Sequence, residues 1–317
     1  MSDWGKGVNN DIGWGQGGTN DIGYGSIYAD SNSGLTLLLK DDSFIGLLDA
    51  FPNGSFAASP RKLRQNYTGA STEVRIASNA QSNIGFADNE LNEPSLVSFA
   101  DGGDAFNVVF KDQTANGRDF SRSTASEQPK IVSNGTVIKA NTKPTLSYDG
   151  TNDHLRCPPA DFVTPTDKLQ VSIVVKNAKS NIGSNEYIMG QYGSGQDERS
   201  WAILVENDEK IQLNFGNPAN GTFGGAWISD NSIDLENLQT IGFTFDAGTV
   251  VIYVNGSVMS SSSIAGTIPT LLFDSNADVT IGSALWEGDI SEAYLADNLT
   301  DSIVEIQQNQ MEYFNIN

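Results

Sequence analysis

The chain has 317 residues, and its 18 Lys and Arg stand against 39 Asp and Glu, a formal charge of −21. That balance excludes a nucleic-acid partner, since affinity for phosphate backbones depends on neutralisation by Lys and Arg; it suits a protein kept soluble in an assembly. The length suffices for one large core or two domains, and no run approaches the ~18 apolar residues of a membrane-spanning helix, so no membrane insertion is expected.

Cys157 is the only cysteine, which rules out an intrachain disulfide and predicts a buried thiol. The opening MSDWGKGVNNDIGWG has no basic segment followed by an apolar core. It is therefore unlike a secretory signal, and release by lysis of the producing cell is expected.

In chain order, the first feature is a ten-residue repeat: Trp4-Gly5-Lys6-Gly7, Trp14-Gly15-Gln16-Gly17 and Tyr24-Gly25-Ser26-Ile27. Between them stand Asn10-Asp11-Ile12-Gly13 and Asn20-Asp21-Ile22-Gly23. Each unit holds an aromatic, an Ile and turn-forming residues, too little apolar content to fold alone. Aromatics at fixed spacing are read as anchors for a partner, so Trp4, Ile12, Trp14, Ile22 and Tyr24 become candidate attachment residues. The pattern resembles N-terminal segments of bacteriophage virion proteins. It implies attachment to other virion proteins of a tailed phage, on head or tail, and a location on the virion surface. Burying one aromatic and one Ile supplies roughly 3–5 kcal/mol per unit, and the six side chains of three units together stay below the roughly 30–60 kcal/mol cost of ordering about 30 residues. Backbone pairing between copies must add to it, which predicts a homo-oligomer, with a trimer the first choice.

Leu35–Leu39 reads as a short strand and Pro52-Asn53-Gly54 as a turn. The division of the chain is placed near Ala50: residues 1–50 as the attachment segment, 51–317 as one β-sandwich. Ser59-Pro60 has the form of a helix start, predicting a helix through Arg61-Lys62-Leu63-Arg64 to Gly69 with its basic residues solvated. Strands are then expected at Thr72–Ile76 and around Ile84 and Val108–Phe110. Asp112-Gln113 beside Asn116-Gly117 reads as a carboxylate capping backbone amides at a strand end. Asp149-Gly150 reads as a tight turn. A calcium site from Asp149, Asn152 and Asp153 is the less favoured alternative to self-capping; no metal or cofactor is expected. His154, the only histidine, has no Ser or Cys at catalytic spacing and is expected to pack at a strand end.

Leu63–Gly69, Val74-Arg75 and Ile84-Gly85-Phe86 open a series of short blocks. It continues through Val108–Gln113, Asn116-Gly117, Gln128-Pro129, Ile131, Lys143-Pro144, Tyr148-Asp149-Gly150 and Asp153-His154-Leu155. In order and spacing the series resembles the catalytic β-sandwich of the arabinofuranosidase B type, a module also met in phage structural proteins. In that family a Glu follows a Trp-headed strand as nucleophile. The matching stretch, Trp201–Asn207, puts Glu206 there, one residue short in spacing. The family's acid/base Asp follows an Ile-Gly-Gly unit, but here Ile281-Gly282 leads to Ser283-Ala284. A retaining glycosidase needs both carboxylates, so the resemblance implies a non-catalytic derivative. Glu206 is catalytic only if the alternative, an arabinofuranosidase-like glycoside hydrolase, holds.

Leu169–Val175, Tyr187–Gly190, Ser200–Val205 and Lys210–Phe215 read as further strands. Thr240–Met259 then alternates like a three-strand meander whose second turn, Asn255-Gly256, suits a type I′ hairpin. With Val279–Gly282 and Trp286–Ala293 it resembles the closing half of a laminin-G or concanavalin-like jelly roll, Glu287 and Asp289 falling in a supporting turn. From Thr300, read as an N-cap, the stripe Ile303, Val304, Ile306, Met311 and Phe314 predicts a terminal helix packed on the sandwich. The fold expected is all-β: a concanavalin-like jelly-roll sandwich with an N-terminal Gly/aromatic repeat and a short C-terminal helix. Trp201, Trp227 and Trp286 are the candidates for stacking on host surface glycans. The function expected is thus a structural component of a tailed-phage virion (fibre, decoration or adhesin) serving host attachment.

Overall fold

The computed structural model of the protein describes residues 27–30, 34–37, 44–161, 167–178, 185–282 and 285–317. Two units separate, residues 1–44 and 45–317. In the first, Ile27–Asp30 (β1) and Gly34–Leu37 (β2) pair antiparallel. Trp4, Ile12, Trp14, Ile22 and Tyr24 lie outside the described residues, as do the last two residues of the strand expected at 35–39.

The second unit starts at Ile45, ahead of the division expected near Ala50. A one-turn helix, Leu47–Ala50 (α1), explains the offset: Leu47 and Leu48 are buried against Tyr294 and Ile306 of the sandwich. The strands follow in order: Phe56–Ala58 (β3), Thr72–Ile76 (β4) and Gln81–Ile84 (β5), then the helix Glu93–Ala100 (α2). Ala105–Phe110 (β6), Phe120–Ser121 (β7), Lys130–Ser133 (β8), Leu146–Asp149 (β9) and Leu155–Cys157 (β10) come next. Lys168–Asn177 (β11), Glu186–Tyr192 (β12), Arg199–Val205 (β13), Ile211–Gly216 (β14) and Phe223–Ser229 (β15) continue. Gln239–Asp246 (β16), Thr249–Val254 (β17), Ser257–Met259 (β18), Ser261–Gly266 (β19), Val279–Ile281 (β20) and Glu287–Ala296 (β21) are the last strands. Further strands of only two residues lie between β5 and β9. The helix Ile303–Phe314 (α3) closes the chain.

All these pairings are antiparallel. One sheet runs β5-β4-β6-β8-β9-β21-β11-β16-β17-β18. The other runs β6-β7-β10-β20-β12-β13-β14-β15-β19, with β6 shared. Rings from the two sheets meet between them: Trp201 of β13 lies 5.9 Å from Phe243 of β16, and Phe215 of β14 lies 5.4 Å from Phe245. This is a concanavalin-like β-sandwich. The meander turns as expected, with Asn255 and Gly256 at φ 48° and 71°, the positive pair of a hairpin turn. Cys157 is buried in the same core.

The expected helix from Ser59 to Gly69 does not form. Its backbone groups are used by other segments: Leu48 N–H donates to Leu63 O at 2.7 Å, Leu63 N–H to Gln113 Oε1 at 2.8 Å and Lys62 N–H to Asn89 O at 2.8 Å. Arg61 is not solvated but buried, its Nε 2.7 Å from Glu292 Oε2. The helix α2 is not expected from the sequence; Asn92 Oδ1 caps it by accepting from Ser95 N–H at 3.1 Å. At the last helix Ser302, not Thr300, is the N-cap. The Gly288–Glu292 stretch, expected as a turn, lies inside β21.

Helix α3 covers the outer face of β11 and β16. That contact explains why β11 is buried along nearly its whole length rather than alternately. Ser172 on its outward side donates to Gln310 Oε1 of the helix at 2.6 Å. Among the described residues no helix is long and apolar enough to cross a membrane.

Candidate functional site

The outer face of the second sheet carries an open cleft of about 620 Å³. Its floor follows from strand pairing. Arg156 of β10 stands opposite Thr280 of β20, and Thr280 stands opposite Gly190 of β12. Leu155 and Cys157 point into the core, so alternation turns Arg156 outward. Two strand spacings, about 10 Å, separate Arg156 from Gly190. A Cβ at Gly190 would lie 2.7 Å from Trp201 O and 2.8 Å from Ala202 Cα. Gly190 thus lies too close to β13 for a side chain, and the cleft lining there is backbone.

Arg122, Glu127, Asn152, His154 and Arg156 line the cleft from β7, β10 and the segments flanking them, and Tyr187, Tyr192 and Arg199 from β12 and β13. The tyrosine rings are stacked, centroids 6.0 Å apart and planes 29° apart, with the Arg199 guanidinium carbon 5.3 Å from the Tyr192 centroid. Such a pair offers a flat apolar face with polar tips. Arg122 is paired with Glu127. Arg156 Nη1 lies 3.7 Å from Asp278 Oδ2, and Arg199 donates to Gly193 O and Ser194 O at 3.2 and 3.3 Å.

His154 is buried in the lining, its Nδ1–H donating to Asn152 O at 2.8 Å. Burial first, and the nearby guanidinium charges of Arg156 and Arg122, push its pKa down to about 4, so the ring is neutral at pH 7 with an Nε2 that has no hydrogen-bond partner. Its strand-end place is as expected; its part in the cleft lining is not.

The other predicted residues lie elsewhere. Trp201 and Trp286 have no accessible surface, so the sandwich core, not a sugar, meets their rings. Trp227 is half-buried on β15, its Nε1–H donating to Ser261 Oγ at 2.8 Å. Glu206 sits just past β13, outside the cleft lining, where its Oε1 accepts from Asn185 Nδ2 at 2.9 Å and partial burial raises its pKa. Ser283 and Ala284 lie outside the described residues.

The oxygens expected to self-cap do so. Asp112 Oδ1 accepts from Ala57 N–H and Thr114 N–H, and Oδ2 from Arg118 N–H. Asp149 Oδ1 accepts from Thr151 N–H at 2.8 Å, and Asp153 Oδ2 from Asp149 N–H at 3.0 Å. Among the described residues no cluster of three His, Cys, Asp or Glu is placed to hold a metal ion.

Sequence reasoning missed Arg122, Arg156, Arg199, Tyr187 and Tyr192. They come from β7, β10, β12, β13 and their flanks, far apart in sequence. The one local signal was Arg156 alternating with two apolar neighbours.

Residues 149–298 match a family described as the concanavalin A-like lectin/glucanases superfamily. Among solved structures, the chain is similar to a GH54 α-L-arabinofuranosidase soaked with a cyclic sulfate inhibitor, with a TM-score of 0.59 and 15% identity over 84% of this chain. It is likewise similar to an arabinofuranosidase complexed with arabinofuranosyl-alpha-1,2-xylobiose, with a TM-score of 0.56 and 15% identity. The chain spans 64% of the length of both. At that identity the likeness is one of fold. No curated protein matches the chain in sequence.

Proposed function

We propose that the protein is a carbohydrate-binding, non-catalytic component of a tailed-phage virion, its sandwich displayed for attachment to host surface glycans. The observation that carries the binding role is the open cleft, whose lining includes the stacked Tyr187 and Tyr192 and the bare backbone of Gly190. Flat aromatic faces beside fixed polar groups suit the apolar faces and hydroxyls of sugars. The virion role rests on the N-terminal repeat, through Trp4, Ile12, Trp14, Ile22 and Tyr24, with assembly as a homo-oligomer. The absence of catalysis rests on the carboxylates: among the described residues Glu127 is the one acid lining the cleft, and Arg122 holds it. Hydrolysis by the retaining or inverting route needs two.

The test is a glycan array probed with the full chain. At least one glycan class should be retained, and Tyr192→Ala should weaken it by about tenfold or more at unchanged melting temperature. Retention that survives Tyr192→Ala and Tyr187→Ala together would place binding elsewhere. Turnover of an aryl arabinofuranoside, abolished by Glu206→Gln, would establish the enzyme alternative instead.

A further inference from the structure

Three of the 18 basic residues of a chain with formal charge −21 line one cleft. They are not equally engaged. Arg122 is occupied by Glu127, yet its Nε is buried without a partner. The Arg156 side chain is 45% exposed, and its nearest carboxylate stands at 3.7 Å. Arg199 donates to backbone carbonyls and has no carboxylate partner among the described residues. Buried polar atoms without partners are rare and need an explanation. Arg122 Nε, a donor, and His154 Nε2, an acceptor, both occur in this lining. Since His154 is neutral, the positive charge of the cleft belongs to the arginines.

A neutral sugar offers no charge to a guanidinium group, and the present partners of Arg156 and Arg199, one carboxylate at 3.7 Å and two backbone carbonyls, leave both cations without a close anionic partner among the described residues. A carboxylate satisfies them, because the planar fork of Arg matches its two oxygens. Resting on the carbohydrate-binding reading above, we infer that the cleft takes an acidic sugar whose carboxylate is held by Arg156 and Arg199, with the sugar ring against Tyr187 and Tyr192. The acceptor at His154 then suits a hydroxyl of the same sugar. The overall charge repels anions at long range, so acidic glycans should be bound by this local site and not by the surface at large.

The experiment is calorimetric titration of the full chain at 150 mM salt with two matched pairs: trigalacturonic acid against its methyl ester, and sialyllactose against lactose. The acidic member of at least one pair should bind tenfold or more tighter than its neutral partner. Arg156→Gln should remove that preference, and Arg156→Lys should restore part of it; Arg199→Gln provides the second side of the clamp. Equal binding of acidic and neutral members overturns the inference and leaves the glycan-binding reading standing. Binding of neither pair, with neutral glycans retained on the array, overturns the inference alone; an empty array as well removes both. A preference for acid that persists in Arg156→Gln and Arg199→Gln, with melting temperatures unchanged, also overturns it.

Discussion

Two single residues set distinct terms in the stability of the molecule. Glu292 is fully buried, and Arg61 meets it with Nε at 2.7 Å and Nη2 at 2.9 Å. Arg61 also donates to Asn309 Oδ1 at 2.8 Å and lies 4.3 Å from the Tyr313 ring. The pair ties the segment after β3 to β21 and to α3. Removing one partner leaves a buried charge, so Glu292→Ala should cost about 3–5 kcal/mol, whereas Arg61→Met with Glu292→Leu should recover much of it. Chemical unfolding of the two variants checks this. His154 acts through protons. Its folded pKa lies near 4, below the ordinary 6.5, so between those values the unfolded chain binds the extra proton and stability is lost as the pH drops. Asp153 and Asp289, raised by burial to about 6, work in the opposite sense, gaining stability as pH falls. The His154 contribution is therefore isolated by difference. His154→Gln should gain on the unsubstituted protein when unfolding is measured at pH 4.5 rather than pH 7. A difference that is flat with pH would count against a buried neutral ring.

At the scale of elements, the seat of α3 on the sheet depends on Gly242. A Cβ there would run into Val171 O and lie 2.9 Å from Gln307 Nε2 and 3.1 Å from Ile303 Cδ1. The helix approaches β16 because that position has no side chain. Gly242→Ala should lift the helix or bend the strand, costing about 1–3 kcal/mol in overpacking, and Gly242→Val should cost more. Thermal unfolding of the two variants checks the order. The same contact explains a pattern that alternation alone does not predict: Gln170 and Ser172 are buried on the outer side of β11, under the helix.

For the whole molecule, the chain divides at Phe44–Ile45 into two units, and on the proposed function the first would serve attachment and the second recognition. On the proposed function, Trp4→Ala with Trp14→Ala and Tyr24→Ala should release the protein from particles. The melting temperature of the sandwich should change little, and cleft binding should be unaltered. Copy number in purified particles is the measurement. Full occupancy by the triple variant would show that the repeat does not anchor the chain.

Much of this architecture was written in local pattern. The meander of β16 to β18, the Asp149 cap and the terminal helix each depend on neighbours a few residues away, and period, turn chemistry and capping read out such contacts directly. The region from Ser59 to Gly69 shows the limit. Ser59-Pro60 has the local form of a helix start, but Gln113, Asn89 and Leu48 capture its backbone groups from a distance. The tryptophans show the same limit, for their residue type suits a core and a sugar platform equally, and only packing sends Trp201 and Trp286 inward. The cleft is the extreme case. Arg122, Arg156 and Arg199 share no motif or spacing, and only the antiparallel order β7-β10-β20-β12-β13 carries them to one face. The sequence by itself determined the all-β class, the acidity and the turns, because these are sums and short-range contacts. Tertiary structure alone decided which charges meet and which rings face solvent, because both depend on strand partners brought together from distant parts of the chain.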